Sequence, residues 1–129
     1  MKSELPNKKM FSFKRLRKSF VYAGSGIKAS LKREQNLNIH MLFLVLVIIC
    51  SIVLKISHFE FLIIILVSGL VISLELVNTA IENAVDINAK ISKEAKLAKD
   101  AGSGAVLIAA ITAIIVGLII FVPKIIDFF

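Results

Sequence analysis

The sequence predicts an all-α integral membrane protein: one amphipathic helix lying in the interface, then three transmembrane helices. Three observations carry that reading. Of the 129 residues, 57% are hydrophobic, and they fall in long runs rather than in the scattered pattern of a globular core. Each run, with its interfacial flanks, reaches the roughly 20 residues that a helix needs to cross the hydrocarbon. The cations gather at the ends of the runs on one side. A chain of this length suits one domain, 1–129.

The elements follow in order. Met1–Asn7 is polar, contains Pro6 and is expected to fray. Over 8–33, Phe11, Phe13, Leu16, Phe20, Tyr22, Ile27 and Leu31 alternate with Lys and Arg, the pattern of a helix lying in the interface. Gly24-Ser25-Gly26 predicts a bend within it. The first span, about 38–56, is built on Met41–Leu54 and ends near Lys55. The second, about 59–82, is interrupted only by Glu60, Ser68, Ser73 and Glu75 before Val77. Its helix is expected to continue past the membrane through Asp86 and as far as Ile91. Ser68, Gly69, Ser73, Thr79 and Ala80 provide small side chains for close helix contact. A charged connection, 83–103, follows, where Gly102 and Gly104 predict a turn or close packing. The third span, 104–122, carries no charge, and Pro123 is expected to stop it.

Charge sets the orientation. The formal net charge is +7. Lys and Arg crowd the segment before the first span and recur at Lys90, Lys93, Lys96 and Lys99, whereas Lys55 alone lies between the first two spans. The positive-inside rule puts the N-terminus and the 83–103 connection in the cytoplasm, with the 56–59 turn and the C-terminus outside. A cationic flank beside a span attracts anionic lipid. No recognition module accompanies the charge, so nucleic acid is not the expected partner. Cys50 is the sole cysteine, which excludes an intrachain disulfide. The segment before Met41 lacks a signal-peptide pattern. His40, with no second His or Cys near it, reads as an interfacial residue.

Chemistry concentrates in Glu75-Leu76-Val77-Asn78-Thr79-Ala80-Ile81-Glu82-Asn83-Ala84-Val85-Asp86. At about 100° per residue, Glu82 and Asp86 fall within roughly 20° of Glu75, with Asn78 and Thr79 flanking the stripe. Carboxylates at membrane depth are expensive, so three on one face need a cation, a proton or a polar pocket. The stripe reads as a metal-assisted site at the cytoplasmic membrane surface, within reach of soluble nucleotides. Neither a P-loop nor a glycine-rich kinase loop is present; Gly24-Ser25-Gly26-Ile27-Lys28 has the wrong spacing.

This stripe resembles the signature of the small bacterial membrane lipid kinases, the prokaryotic diacylglycerol kinase and undecaprenol kinase family. Their pattern runs E-x-[LIVM]-N-[ST]-[SA]-[LIV]-E-x-x-V-D, and every fixed position is matched from Glu75 to Asp86. The resemblance extends over Arg15–Glu34 and Lys99–Val106. It implies a homotrimer with sites near subunit boundaries, phosphorylating a membrane lipid alcohol with ATP and Mg2+.

Phosphoryl transfer needs positioning, charge neutralisation and a base near the acceptor hydroxyl. Glu75, deepest in the membrane, suits that base and contacts the lipid substrate. Glu82, about 10.5 Å further along the axis, suits a ligand for Mg2+, which prefers hard oxygen donors. By resemblance Glu34 is the second metal-binding carboxylate, against the plainer reading of an ion pair with Arg33 or Lys32. Asn78 looks like a polar organiser between base and metal, on the nucleotide side. Arg15, Lys18, Tyr22, Asp86, Lys99 and Asp100 match nucleotide-site positions of the family, and Ser103 joins Glu75 on the lipid-substrate side. For the cations the plainer role is lipid headgroup contact; for Asp86 it is solvation at a helix end.

The Glu34-x-Asn36-x-x-x-His40 segment and the Gly117–Lys124 ending look like the Gram-positive branch, which implies undecaprenol as substrate, with diacylglycerol as the alternative. A non-enzymatic, holin-like pore is the competing class, but a pore spreads polar stripes over the whole membrane depth. A catalytically dead regulator would lack an expected site residue, and none is missing.

Overall fold

The computed structural model describes residues 10–87, 90 and 92–129. The expectations for Met1–Asn7, for a helix starting at Lys8 and for its continuation to Ile91 lie outside those residues. The described chain is four helices in succession: α1 (Phe13–Arg33), α2 (Gln35–Val53), α3 (His58–Ile87) and α4 (Lys93–Phe128). α2, α3 and α4 are each long and apolar enough to cross a membrane.

α1 buries none of its residues against the rest of the chain. Phe13, Phe20 and Tyr22 stand exposed beside Lys and Arg, as a helix lying in the headgroup region requires. The expected bend at Gly24-Ser25-Gly26 is absent, and α1 runs through it unbroken. Each interior glycine costs a helix only about 1 kcal/mol, and neither has a neighbour within 4 Å that would force a kink.

The break comes at Glu34, where one residue in extended conformation (φ −107°, ψ 110°) separates α1 from α2. A helix end leaves carbonyls without partners. The Asn38 side chain meets one of them, donating from Nδ2 to the carbonyl of Leu31 (2.8 Å), and also donates to the Glu34 carbonyl (3.0 Å), which accepts the Asn38 backbone N–H as well. Leu37, 1% exposed, anchors the same corner.

α2 ends in a Schellman motif. The N–H of Lys55 bonds the carbonyl of Ile52, and that of Ile56 bonds the carbonyl of Ser51. Lys55 takes the left-handed conformation (φ 51°) that glycine usually fills there. α3 then opens with a reciprocal capping box. The Ser57 N–H donates to Glu60 Oε2 (2.8 Å), and the Glu60 N–H donates to Ser57 Oγ (3.1 Å).

α3 is the spine. α4 packs along it most extensively, and α2 also lies on it. Ile64 and Val71 of α3 and Val106, Ala109 and Ile120 of α4 are buried. α2 and α4 stand apart, and between them over α3 lies an apolar cavity of about 470 Å³. Much of the remaining apolar surface is exposed, including Leu42, Phe43, Leu66, Ile108 and Ile119, as suits helices apolar enough to cross a membrane.

α4 differs from its expectation at both ends. It begins at Lys93, within the segment read as a connection, where Ser92 Oγ accepts the Ala95 N–H (3.0 Å). It also continues through Pro123 to Phe128 rather than stopping. Proline removes one hydrogen bond, and membrane-spanning helices tolerate this where their surroundings re-satisfy the freed group. Lys124, one residue later, lies 3.9 Å from Glu60, tying the end of α4 to the start of α3.

Candidate active site

The acidic stripe occupies the C-terminal half of α3, and its exposure rises along the helix. Glu75 is 2% exposed, Glu82 is half-buried, and the Asp86 side chain is 63% exposed. Each carboxylate faces a different partner on a different helix.

Glu75 lies against α2. His40 Nε2 is 3.9 Å from Glu75 Oε2, beyond direct hydrogen-bond length. Thr79, buried beside it, donates its hydroxyl to the Glu75 backbone carbonyl (3.1 Å) and so stays within its own helix.

Glu82 is met from within α3. Asn78 donates from Nδ2 to Glu82 Oε1 at 3.3 Å, a long bond. The other end of that amide, Asn78 Oδ1, is buried without a hydrogen-bond partner among the described residues. A buried oxygen left in that state forgoes a hydrogen bond, at a cost of about 1–3 kcal/mol. Gly102 of α4 makes its position possible. A Cβ there would sit 2.5 Å from Asn78 Oδ1, so the glycine is what lets α4 close over the amide. The sequence offered a turn or close packing at Gly102, and close packing within a helix is what the structure shows.

Asp86 is met from α4, accepting from Lys99 Nζ at 2.9 Å. The hydrogen bond and charge of Asp86 raise the Lys99 pKa above its ordinary value, so Lys99 stays cationic at neutral pH. Asp86 is therefore paired, not merely solvated at a helix end. Asp100 is instead engaged by Lys96 of its own helix.

Glu34 sits at the α1–α2 junction, half-buried, with no ion pair to Arg33 or Lys32 among the described residues. Arg15, Lys18 and Tyr22 follow one another at helical spacing along one face of α1 and are exposed. Among the described residues, no hydrogen bond or ion pair joins them to the stripe. Ser103 is exposed on α4 beside Gly102.

No cluster of three His, Cys, Asp or Glu side chains arranged to hold a metal occurs among the described residues. Mg2+ does not need one, since it keeps several waters and binds through one or two carboxylates together with substrate phosphates. Glu82, Glu34 and the unpartnered Asn78 oxygen are hard donors that fit it.

Two residues beside these carboxylates are not marked by the sequence as their neighbours. Asn38 holds the junction that places Glu34, and nothing in its spacing distinguishes it from Asn36. His40 was read as an interfacial residue. Its signal was depth: an ionisable group in the first turns of an apolar span usually faces a polar partner.

The arrangement has a direction. A buried carboxylate lies near the end of an apolar cavity whose lining includes His40. A carboxylate–amide pair and then a lysine–aspartate pair follow toward the exposed end of α3. Such an order suits an alcohol held from the apolar side and a polyanion held from the polar side.

Comparison with known proteins agrees with this chemistry. The family model for prokaryotic diacylglycerol kinase matches residues 21–121. An undecaprenol kinase of Bacillus subtilis is 46% identical over 108 residues, covering 83% of this chain and 88% of that protein. A diacylglycerol kinase of Synechocystis sp. is 39% identical over 111 residues, covering 84% of this chain and 63% of that protein.

Proposed function

The chain belongs to the prokaryotic diacylglycerol kinase family of membrane lipid kinases, and we propose that it transfers the γ-phosphoryl group of ATP to the hydroxyl of undecaprenol at the cytoplasmic membrane face. The observation that carries this reading is the burial of Glu75 near one end of the apolar cavity, with the Asn78–Glu82 pair one to two turns beyond.

Glu75 accepts the proton of the substrate hydroxyl as its oxygen bonds the γ-phosphorus. The bond from that phosphorus to the bridging oxygen breaks, and the electron pair leaves with ADP. Asn78 fixes Glu82 through Nδ2. Lys99, oriented by Asp86, neutralises phosphate charge, with Arg15, Lys18, Tyr22 and Asp100 completing the nucleotide side and Ser103 the lipid side. Glu34 and Glu82 would hold Mg2+, which when bound draws charge from the phosphate oxygens.

Undecaprenol is favoured over diacylglycerol because the undecaprenol kinase relative is both more alike and matched over more of its own length. A homotrimer fits the extent of exposed apolar surface on three helices too few to enclose a polar stripe. The N-terminus and the 83–103 connection would be cytoplasmic and the C-terminus outside, as the cations require.

The test is phosphate transfer from labelled ATP and Mg2+ to undecaprenol and to diacylglycerol, offered separately to purified protein in detergent. Preferential labelling of undecaprenol is expected. Preference for diacylglycerol keeps the chemistry and overturns the substrate, and transfer to neither by folded protein overturns the kinase reading.

A further inference from the structure

His40 has no part in the reaction as described, yet its position is unusual. It lies in the first turns of a membrane-spanning helix, half-buried, with Nε2 directed at Glu75 from across the α2–α3 contact. Its ring also lines the apolar cavity. The ionisable groups around the Glu75 carboxylate are His40, Glu82 and Glu34. Of these, only His40 can carry the opposite sign or donate a hydrogen bond. Glu82 is turned to Asn78, and Thr79 is bonded to the backbone.

A carboxylate so buried has several rotamers and one productive direction. We propose that His40 is a positioning residue for Glu75, its Nε2–H holding the carboxylate turned toward the cavity where the acceptor hydroxyl arrives. The inference rests on the kinase reading above, with Glu75 as base. The 3.9 Å separation closes to a hydrogen bond by a side-chain adjustment of about 1 Å, and a displacement of that size at a reacting group changes rates by about a hundredfold.

Two measurements test it. In the phosphate-transfer assay, His40→Leu is expected to lower kcat by about a hundredfold with the KM values for lipid and ATP nearly unchanged. His40→Gln, which keeps an N–H donor, restores most of that loss. Full activity in His40→Leu, a loss confined to the lipid KM, or a glutamine variant no better than leucine each overturns the proposal.

The second measurement needs no turnover and separates this inference from the kinase reading. The chain has two histidines, so 15N-histidine spectra in detergent resolve His40 from His58. With Glu75→Gln, the His40 ring resonances shift and those of His58 stay. Unmoved His40 resonances overturn the positioning role, even where the enzyme phosphorylates lipid. If instead the wild type transfers nothing to either alcohol while the resonances shift, the contact stands and the kinase reading fails.

Discussion

The two ends of α3 both carry acidic residues in an otherwise apolar helix, and they carry them in opposite ways. At the N-terminal end, Glu60 accepts the Ser57 N–H, has its own N–H met by Ser57 Oγ, and lies 3.9 Å from Lys124. Both side-chain contacts fall on one oxygen, Oε2, which starts the helix and ties down α4. In the C-terminal half, among the described residues, Glu75 has a partner only at 3.9 Å, the Asn78–Glu82 bond is long, and Asn78 Oδ1 has no partner. The first group serves the fold. The second is held in place by the fold with bonding capacity left over.

That contrast can be broken by substitution. The largest effect after loss of the base is expected from Asn78→Leu. It keeps the volume, removes both ends of the amide, and so lowers kcat by about 10²–10³-fold. Asn78→Leu also takes the Nδ2 donor from half-buried Glu82, a stability loss of about 1 kcal/mol. Kinetics beside a melting curve in detergent check both halves. A variant that unfolds while its folded fraction stays active would make Asn78 a structural residue.

Gly102→Ala is expected to act more mildly. The new Cβ displaces Asn78 Oδ1 and with it the Nδ2 bond to Glu82, a loss of about 1 kcal/mol, read as a roughly fivefold fall in kcat. The helix gains about as much from replacing glycine by alanine, so the melting temperature barely moves. An unchanged kcat would show that the amide can rotate freely.

The Lys99–Asp86 pair should matter least for stability. Both side chains are substantially exposed, at 40% and 63%, so salt screens them. Asp86 raises the Lys99 pKa, and a raised lysine contributes stability that is present below its ordinary pKa and lost as pH rises past it. Lys99→Gln and wild type should therefore melt in parallel from roughly pH 6 to 9, while the KM for ATP rises several-fold. Diverging melting curves within that window would mean another group titrates against Lys99.

How much of this was legible beforehand follows the same division. Hydropathy located the membrane, because apolar length is a property of composition. It did not register that α4 begins at Lys93, because Ser92 starts that helix through a side-chain hydrogen bond that composition does not show. Gly24-Ser25-Gly26 and Pro123 were read as breaks, yet one helix bears the entropic cost of glycine and the other a missing N–H without stopping. The stripe from Glu75 to Asp86 was legible because helical periodicity alone aligns it. Its partners were not: His40 stands 35 positions before Glu75, and Lys99 stands 13 after Asp86. Those pairings exist only once α2 and α4 have packed on α3.

The most direct test compares Glu75→Gln with Glu60→Gln in one preparation, measuring lipid phosphorylation and thermal stability together. Glu75→Gln should lose about 10²–10⁴-fold in kcat, the range for removing a general base, with its melting temperature kept. Glu60→Gln should retain its kcat and nearly all of its melting temperature, because glutamine fills the same capping-box position and only the 3.9 Å pair with Lys124 is lost. Retained turnover in Glu75→Gln, or lost turnover in well-folded Glu60→Gln, would contradict the assignment of the two ends.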